Sequence, residues 1–213
     1  AFVARGLDVM GRQANLGIAA LLRAAGVSGA VSPYHLGFLI GPRINAGGRI
    51  GNAALGAALL ATDDPTEAER IATELDRLNT ERQALEAEMV AEAMAAAEPV
   101  FDGGDEPPVV ITHNPGWHPG VVGLIASRLK ERFARPAIAI ADGPSGFGIG
   151  SGRSIQGVDL GRAVKAAVER GILAKGGGHP MAAGVTVALN RLGAFEAFMM
   201  ETLAKDVARA SSV

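Results

Sequence analysis

PVVITHNPGWHPGVVGLIASRLKERFARPAIAIA, residues 108–141, decides how this chain folds. Its two ends, PVVIT (108–112) and PAIAIA (136–141), are short apolar runs opened by proline, the pattern of strands buried on both faces. Between them Val121, Val122, Leu124, Ile125, Leu129 and Phe133 recur at helical spacing among polar residues, so HPGVVGLIASRLKERF reads as a helix with one buried face. Strand, helix, strand in this order is a βαβ unit, whose two strands are parallel.

The flanking sequence continues the alternation. FGIGSGRS (147–154) reads as a third strand entering a turn, and GVDLGRAVKAAVERG (157–171) as a helix capped by Asp159 and stopped by Gly171. AGVTVAL (183–189) reads as another strand, and RLGAFEAFMMETLAKDVAR (191–209) as a closing helix. The fold class is α/β, with a mainly parallel or mixed sheet flanked by helices over about 107–213.

Upstream, the first 62 residues read as short helices broken by glycines. QANLGIAALLRAAGV places Leu16, Ala20 and Leu21 on one face with Gly26 as its stop, GNAALGAALLA is a second such piece, and GPRINAGGR (41–49) between them reads as a polar glycine-rich loop. At TDDPTEAER the signals of a helix start coincide: Asp64 as N-cap, Pro65 in the first helical position and Glu67 placed to close a capping box. That helix is expected to run to about Glu98, before Pro99, with Ile71, Leu75, Leu78, Leu85 and Met89 as an apolar stripe. At 1.5 Å per residue it is roughly 50 Å long and reads as a connector, and the FDGGDEPP loop after it marks a boundary.

Composition bounds the chemistry. The chain has 213 residues, 48% of them hydrophobic, enough for a real core. Without cysteine there is neither a disulfide nor a thiolate nucleophile or metal ligand. A net charge of −2 supplies no global field for a polyanion, which would have to be held by local arginines and backbone amides. No apolar run is long enough to span a membrane, and the opening residues lack the pattern of a secretory signal, so the expected location is cytoplasmic with no membrane partner. The chain opens on Ala1, directly into structured-looking sequence, and is expected to be part of something longer.

Four stretches carry candidate chemistry. In KGGGHPMAAG (175–184), Gly176, Gly177 and Gly178 expose backbone N–H groups beside His179, a directional donor. In GSGRS (150–154), Arg153 lies between Ser151 and Ser154, a composition suited to clamping a phosphate bidentately. GWHPG (116–120) puts Trp117 and His118 at a helix start, and GPRINAGGR crowds Arg43, Asn45 and Arg49 together. Each also has an ordinary structural reading: a flexible turn before a strand, a surface arginine, a core tryptophan with a capping histidine, an arginine–asparagine turn network. Together they share glycine-exposed backbone beside Arg or His, which suits a phosphodiester better than a small apolar ligand. Clustered carboxylates and histidines for a two-metal site are lacking. Asp63 and Asp64 are accounted for by the helix cap, and Asp102, Asp105 and Glu106 sit in the boundary loop.

The order GPRINAGGR, LDRLNTERQALE, WHPGVVGLIASRL, GSGRS, KGGGHPMAAG resembles the RecJ family of single-stranded-DNA-specific exonucleases, within the DHH phosphoesterase superfamily. The GGGH motif alone is shared more widely, with other DHH proteins and the C-terminal domain of alanyl-tRNA synthetases. The resemblance implies a 5′-to-3′ exonuclease of DNA repair and recombination that uses Mn²⁺ or Mg²⁺ and acts on single-stranded DNA. It implies that the metal ligands lie in an N-terminal DHH domain whose motifs are not in this sequence, so no metal is expected on this chain and it alone is expected to be inactive. Residues 1–62 would then be the tail of the DHH domain, 63–100 the connecting helix and 107–213 the DHH-associated domain, ending before the OB-fold such enzymes can carry. Carried to matching positions, the resemblance makes Arg153 with Ser151 and Ser154 a phosphate clamp. It sets Gly176, Gly177, Gly178 and His179 against the scissile region, puts Arg43, Asn45 and Arg49 near an interdomain cleft, and makes His118 a further cleft residue. Arg153 and His179 would neutralise charge developing on the phosphate. Two other functions remain open: a DHH phosphodiesterase of short oligonucleotides or cyclic dinucleotides, and a non-enzymatic nucleic-acid-binding module.

Overall fold

The computed structural model describes residues 2–102 and 106–211, and Asp105 lies outside the described residues. The chain forms two compact units, 1–84 and 85–213, which divide within one long helix.

The first unit is helical. α1 (Phe2–Gly11), α2 (Leu16–Ala24), α3 (Gly41–Ile50) and α4 (Leu55–Ala61) are followed by α5 (Pro65–Asp102), 38 residues long. Asn15 caps α2, its Oδ1 accepting from the Ile18 N–H at 2.9 Å, and Gly26 takes a positive φ just beyond the end of that helix. Leu21, Leu22, Leu59, Ile71 and Leu75 form the core. GPRINAGGR, expected as a loop, is most of α3. A π-helical segment, His35–Ile40, runs straight into α3, so Pro42 falls in a helix already under way, and the glycines are small for packing: a Cβ on Gly47 would stand 3.2 Å from Leu75 Cδ2 and 3.0 Å from the carbonyl oxygen of Asn52.

α5 begins at Pro65 as expected, with Asp64 Oδ1 accepting from the Thr66 N–H at 2.8 Å. The capping box does not close. The N–H of Asp64 goes to Thr62 Oγ1 at 3.1 Å, and Glu67 accepts from Arg70 at 2.6 and 2.7 Å. α5 also runs past Pro99 to Asp102, since a proline so near a helix end forfeits one N–H bond. Asp102 is therefore helical rather than in a loop, while Glu106 pairs with Arg135 at 2.5 Å. Of the apolar stripe, Ile71, Leu75, Leu78 and Met89 are buried and Leu85 is half-buried.

The second unit holds a five-stranded mixed sheet of order β1-β2-β3-β5-β4: β1 (Val110–Asn114), β2 (Ala137–Asp142), β3 (Phe147–Arg153), β4 (Lys175–His179) and β5 (Ala182–Ala188). β1 and β2 are the parallel pair, joined by α6 (Val122–Phe133), and the other pairings are antiparallel. α7 (Leu160–Glu169) and α8 (Leu192–Ala210) pack on one face, where Val164, Ala167, Phe195, Met199 and Leu203 meet Ile138, Ile140, Ala183, Val185 and Val187. α6 covers β1, β2 and β3 on the other face, over buried Val110, Ala137, Ala139 and Ala141. Asp159 caps α7 as expected, accepting from the Arg162 N–H at 2.9 Å. No helix among the described residues is long and apolar enough to cross a membrane.

β4 is the strand that hydrophobic pattern does not reveal. GGG has no side chains to alternate, and glycine is a poor strand former. Pairing specifies it instead: a two-residue turn at Pro180 and Met181 folds β4 back on β5, with His179 opposite Ala182 and Gly177 opposite Gly184.

Candidate nucleic-acid interface

Alternation along the strands sorts the site residues by face. On β3, Ile149, Ser151 and Arg153 point to the α6 side, and Gly148, Gly150 and Gly152 to the α7–α8 core, where a Cβ on any of the three would press on Ile138 or Ile140 at 2.7–3.2 Å. Register carries this face across the sheet. Arg153 lies opposite Ala182, which lies opposite His179; Ser151, Gly184 and Gly177 form the next row; Ile149, Thr186 and Lys175 the third. With strands about 4.8 Å apart, Arg153 and His179 stand at the two ends of one row, about 10 Å from each other.

The three glycines of GGGH separate accordingly. A Cβ on Gly176 would stand 2.7 Å from Val164 Cγ1 of α7, and one on Gly178 would lie 2.6 Å from the Cα of Ala183. Packing explains both. Gly177 and its partner Gly184 are different: a Cβ on either meets nothing within 4 Å, both are exposed, and neither has a positive φ. Two glycines that the fold does not require sit side by side in strand interiors, where glycine marks close approach by a ligand or another backbone.

Arg153 is braced at the rim of this bare patch. Its Nη1 donates to Ser151 Oγ and to the Gly152 carbonyl, both at 2.8 Å, and its Nη2 would be 3.0 Å from a Cβ on Gly123. Gly123 is in the first turn of α6, so the missing side chain there is what lets the guanidinium lie against the helix. His179 is exposed, and its Nδ1 accepts from the Met181 N–H at 3.3 Å. The proton of the neutral ring is then on Nε2, which becomes the donor. His118 uses the same His-Pro device, its Nδ1 accepting from the Gly120 N–H at 3.0 Å, in the loop that leads into α6. That loop is anchored by buried Trp117, whose Nε1 donates to Glu92 Oε2 at 2.8 Å.

Other expected site residues have different surroundings. Ser154 is 1% exposed; its Oγ donates to the Val158 carbonyl at 2.7 Å and its N–H to the Met181 carbonyl at 2.9 Å. This is a correction to the clamp, because Ser154 is an interior turn bond with no surface to offer a phosphate. In the other unit, Arg43, Asn45 and Arg49 lie on helix α3 instead of crowding one loop. Arg43 is committed to Asp76 at 2.8 Å and to the Leu39 carbonyl at 2.9 Å, whereas Asn45 is exposed.

The geometry has counterparts among known proteins. The DHHA1 domain family matches residues 106–205, which span the whole sheet. A single-stranded-DNA-specific exonuclease RecJ from Dickeya dadantii is 42% identical over 189 residues, 84% of this chain and 32% of the relative. The crystal structure of RecJ from Thermus thermophilus in complex with Mn²⁺ superposes with a TM-score of 0.82 at 34% identity, over 94% of this chain and 28% of that one. The same organism's RecJ in complex with Mg²⁺ gives 0.80 at 32% identity, over 94% of this chain and 30% of that one. The chain is RecJ-like, with a DHHA1 domain over residues 106–205. It spans about a third of the length of the Dickeya relative.

Within this RecJ-type DHHA1 domain, the residues that motif reading passed over are Gly184, Lys175 and Thr186, all on the open face of β4 and β5. A glycine interrupting AGVTVAL was the available signal. The relatives' Mn²⁺ and Mg²⁺ find no fit here: the described residues contain no group of three or more His, Asp or Glu able to hold a metal.

Proposed function

We propose that this chain is the substrate-gripping portion of a RecJ-like 5′-to-3′ single-stranded-DNA exonuclease acting in DNA repair and recombination in the cytoplasm. On this reading residues 1–62 are the tail of a DHH domain, 63–100 a connecting helix and 107–213 the DHHA1 domain. A Mn²⁺ or Mg²⁺ site belongs to a part of the protein outside the described residues, in line with their lack of a chelating group.

The bare Gly177–Gly184 pair, in the row next to that of Arg153 and His179, carries the reading. Missing side chains let a sugar–phosphate backbone lie directly on the sheet. The planar fork of Arg153, held by Ser151, pairs with non-bridging phosphate oxygens, and His179 donates from Nε2. Both groups offset negative charge on the phosphate as it rises toward the transition state, so they assist hydrolysis without activating water. None of these contacts touches a base edge, so binding is expected to be independent of sequence.

The test uses the purified chain and a fluorescent oligonucleotide. Anisotropy should report binding to single strands of any sequence that weakens steeply with salt, Arg153→Ala should weaken it, and Mn²⁺ should bring no degradation. Absence of binding at low salt refutes the gripping role, and clean digestion by the chain alone refutes the division of labour.

A further inference from the structure

On that reading of the site, we propose that it extends beyond Arg153 and His179 along β4 and β5 to Lys175 and Thr186, forming a track for a strand of about three phosphates. The domain would then select polynucleotides over dinucleotides.

Lys175 and Thr186 are directly paired and lie on the same open face as Gly177, Gly184, Ala182 and His179. Lys175 is exposed and has no ion-pair partner among the described residues, unlike Arg162 and Lys165 of nearby α7, which pair with Asp206 and Glu169. From His179 to Lys175 is four residues of strand, about 14 Å. A single strand drawn out to roughly twice the 3.4 Å per nucleotide of a duplex covers that in about two steps. Arg153 and His179 therefore stand at one end of the run and Lys175 at the other, and the row between them is the glycine pair, with nothing to obstruct a passing backbone. A dinucleotide seated at Arg153 and His179 would end before Lys175.

The probes are oligothymidylates of two and of eight nucleotides, bound to the purified chain over a salt series. For the longer probe, Lys175→Ala should weaken binding about fivefold and lower the slope of log K against log salt by about 0.7, one single-strand phosphate contact. Lys175→Arg should restore both, and the dinucleotide should bind Lys175→Ala and wild type alike. Arg153→Ala should weaken both probes. An unchanged slope for the longer probe, or equal losses for both lengths, overturns the track while leaving the site at Arg153 intact. A wild-type chain that binds neither probe overturns the gripping role itself, and the track with it.

Discussion

Alanine at each glycine of the GGGH hairpin separates what the fold needs from what a ligand needs. At Gly177 and Gly184 the new methyl enters open space on an extended backbone, so only the entropy of glycine in a strand is removed. Each change should stabilise by about 0.5–1 kcal/mol; the two methyls of the double variant would face each other across the hairpin, so the pair should stabilise but need not give the sum. At Gly176 the methyl would press on Val164 at 2.7 Å and Leu173 at 3.2 Å, and at Gly178 it would overlap the Ala182 carbonyl, so overpacking should cost about 1–3 kcal/mol at either site. Thermal unfolding by circular dichroism reads these as shifts of opposite sign, roughly 2–4 °C per kcal/mol for a chain of this size. Binding should move the other way for the open pair. A methyl that lifts a phosphate backbone off the sheet should weaken oligonucleotide affinity about tenfold, equivalent to about 1.4 kcal/mol. A Gly177→Ala, Gly184→Ala double variant that is more stable and binds as tightly as wild type would refute the claim that these glycines serve a ligand.

Three further outcomes are expected. In a complete RecJ-type enzyme carrying this domain, Arg153→Ala should slow single-strand digestion by about 10²-fold or more, with Arg153→Lys a poor substitute because an ammonium cannot reproduce the fork, as steady-state kinetics would show. Ser154→Ala should leave binding unchanged but lower stability by about 1–3 kcal/mol in denaturant unfolding, since the buried Val158 carbonyl loses its donor. Hydrogen bonds from Arg70 and Arg77 hold Glu67 and Glu74 below the usual carboxylate range, so their small contribution to α5 is complete above pH 4.5 and lost as pH falls below it. Far-UV circular dichroism should follow that loss, and salt should diminish it because all four groups are exposed.

What sequence made legible followed from side-chain periodicity and capping chemistry. The βαβ unit declared itself through Val121, Ile125 and Leu129 between two apolar runs, and α7 through Asp159. Where glycine dominates, the same logic fails in two directions. GPRINAGGR looks like a loop because its glycines suggest turns, yet Gly47 is small so that α3 can approach Leu75. KGGGH offers no alternation at all, yet its register with β5 makes it a strand. At the site, Arg153 and Ser151 were readable as a pair from GSGRS. The burial of Ser154 was not, because the turn to Val158 is set by tertiary packing, and neither was the pairing of Gly177 with Gly184 across the hairpin.

The sheet's width explains why such a face exists at all. Five strands at about 4.8 Å spacing span about 19 Å, whereas a helix with its side chains is about 10 Å across. Two helices, α7 and α8, line one face; on the other, α6 lies over β1, β2 and β3. The remaining antiparallel strands, β5 and β4, are left with one wet side, which antiparallel sheets tolerate. A wet strand face ordinarily carries polar or β-branched side chains, which stabilise the strand and shield its backbone. Thr186 and Lys175 follow that rule, and Gly177 and Gly184 break it at the centre of the face, giving up stability that any larger side chain would return. Loss of stability with no packing reason behind it is what a binding surface leaves in a fold. Arg153, at the seam where α6 ends and the open strands begin, is the long cation that β3 presents to that surface from the covered half.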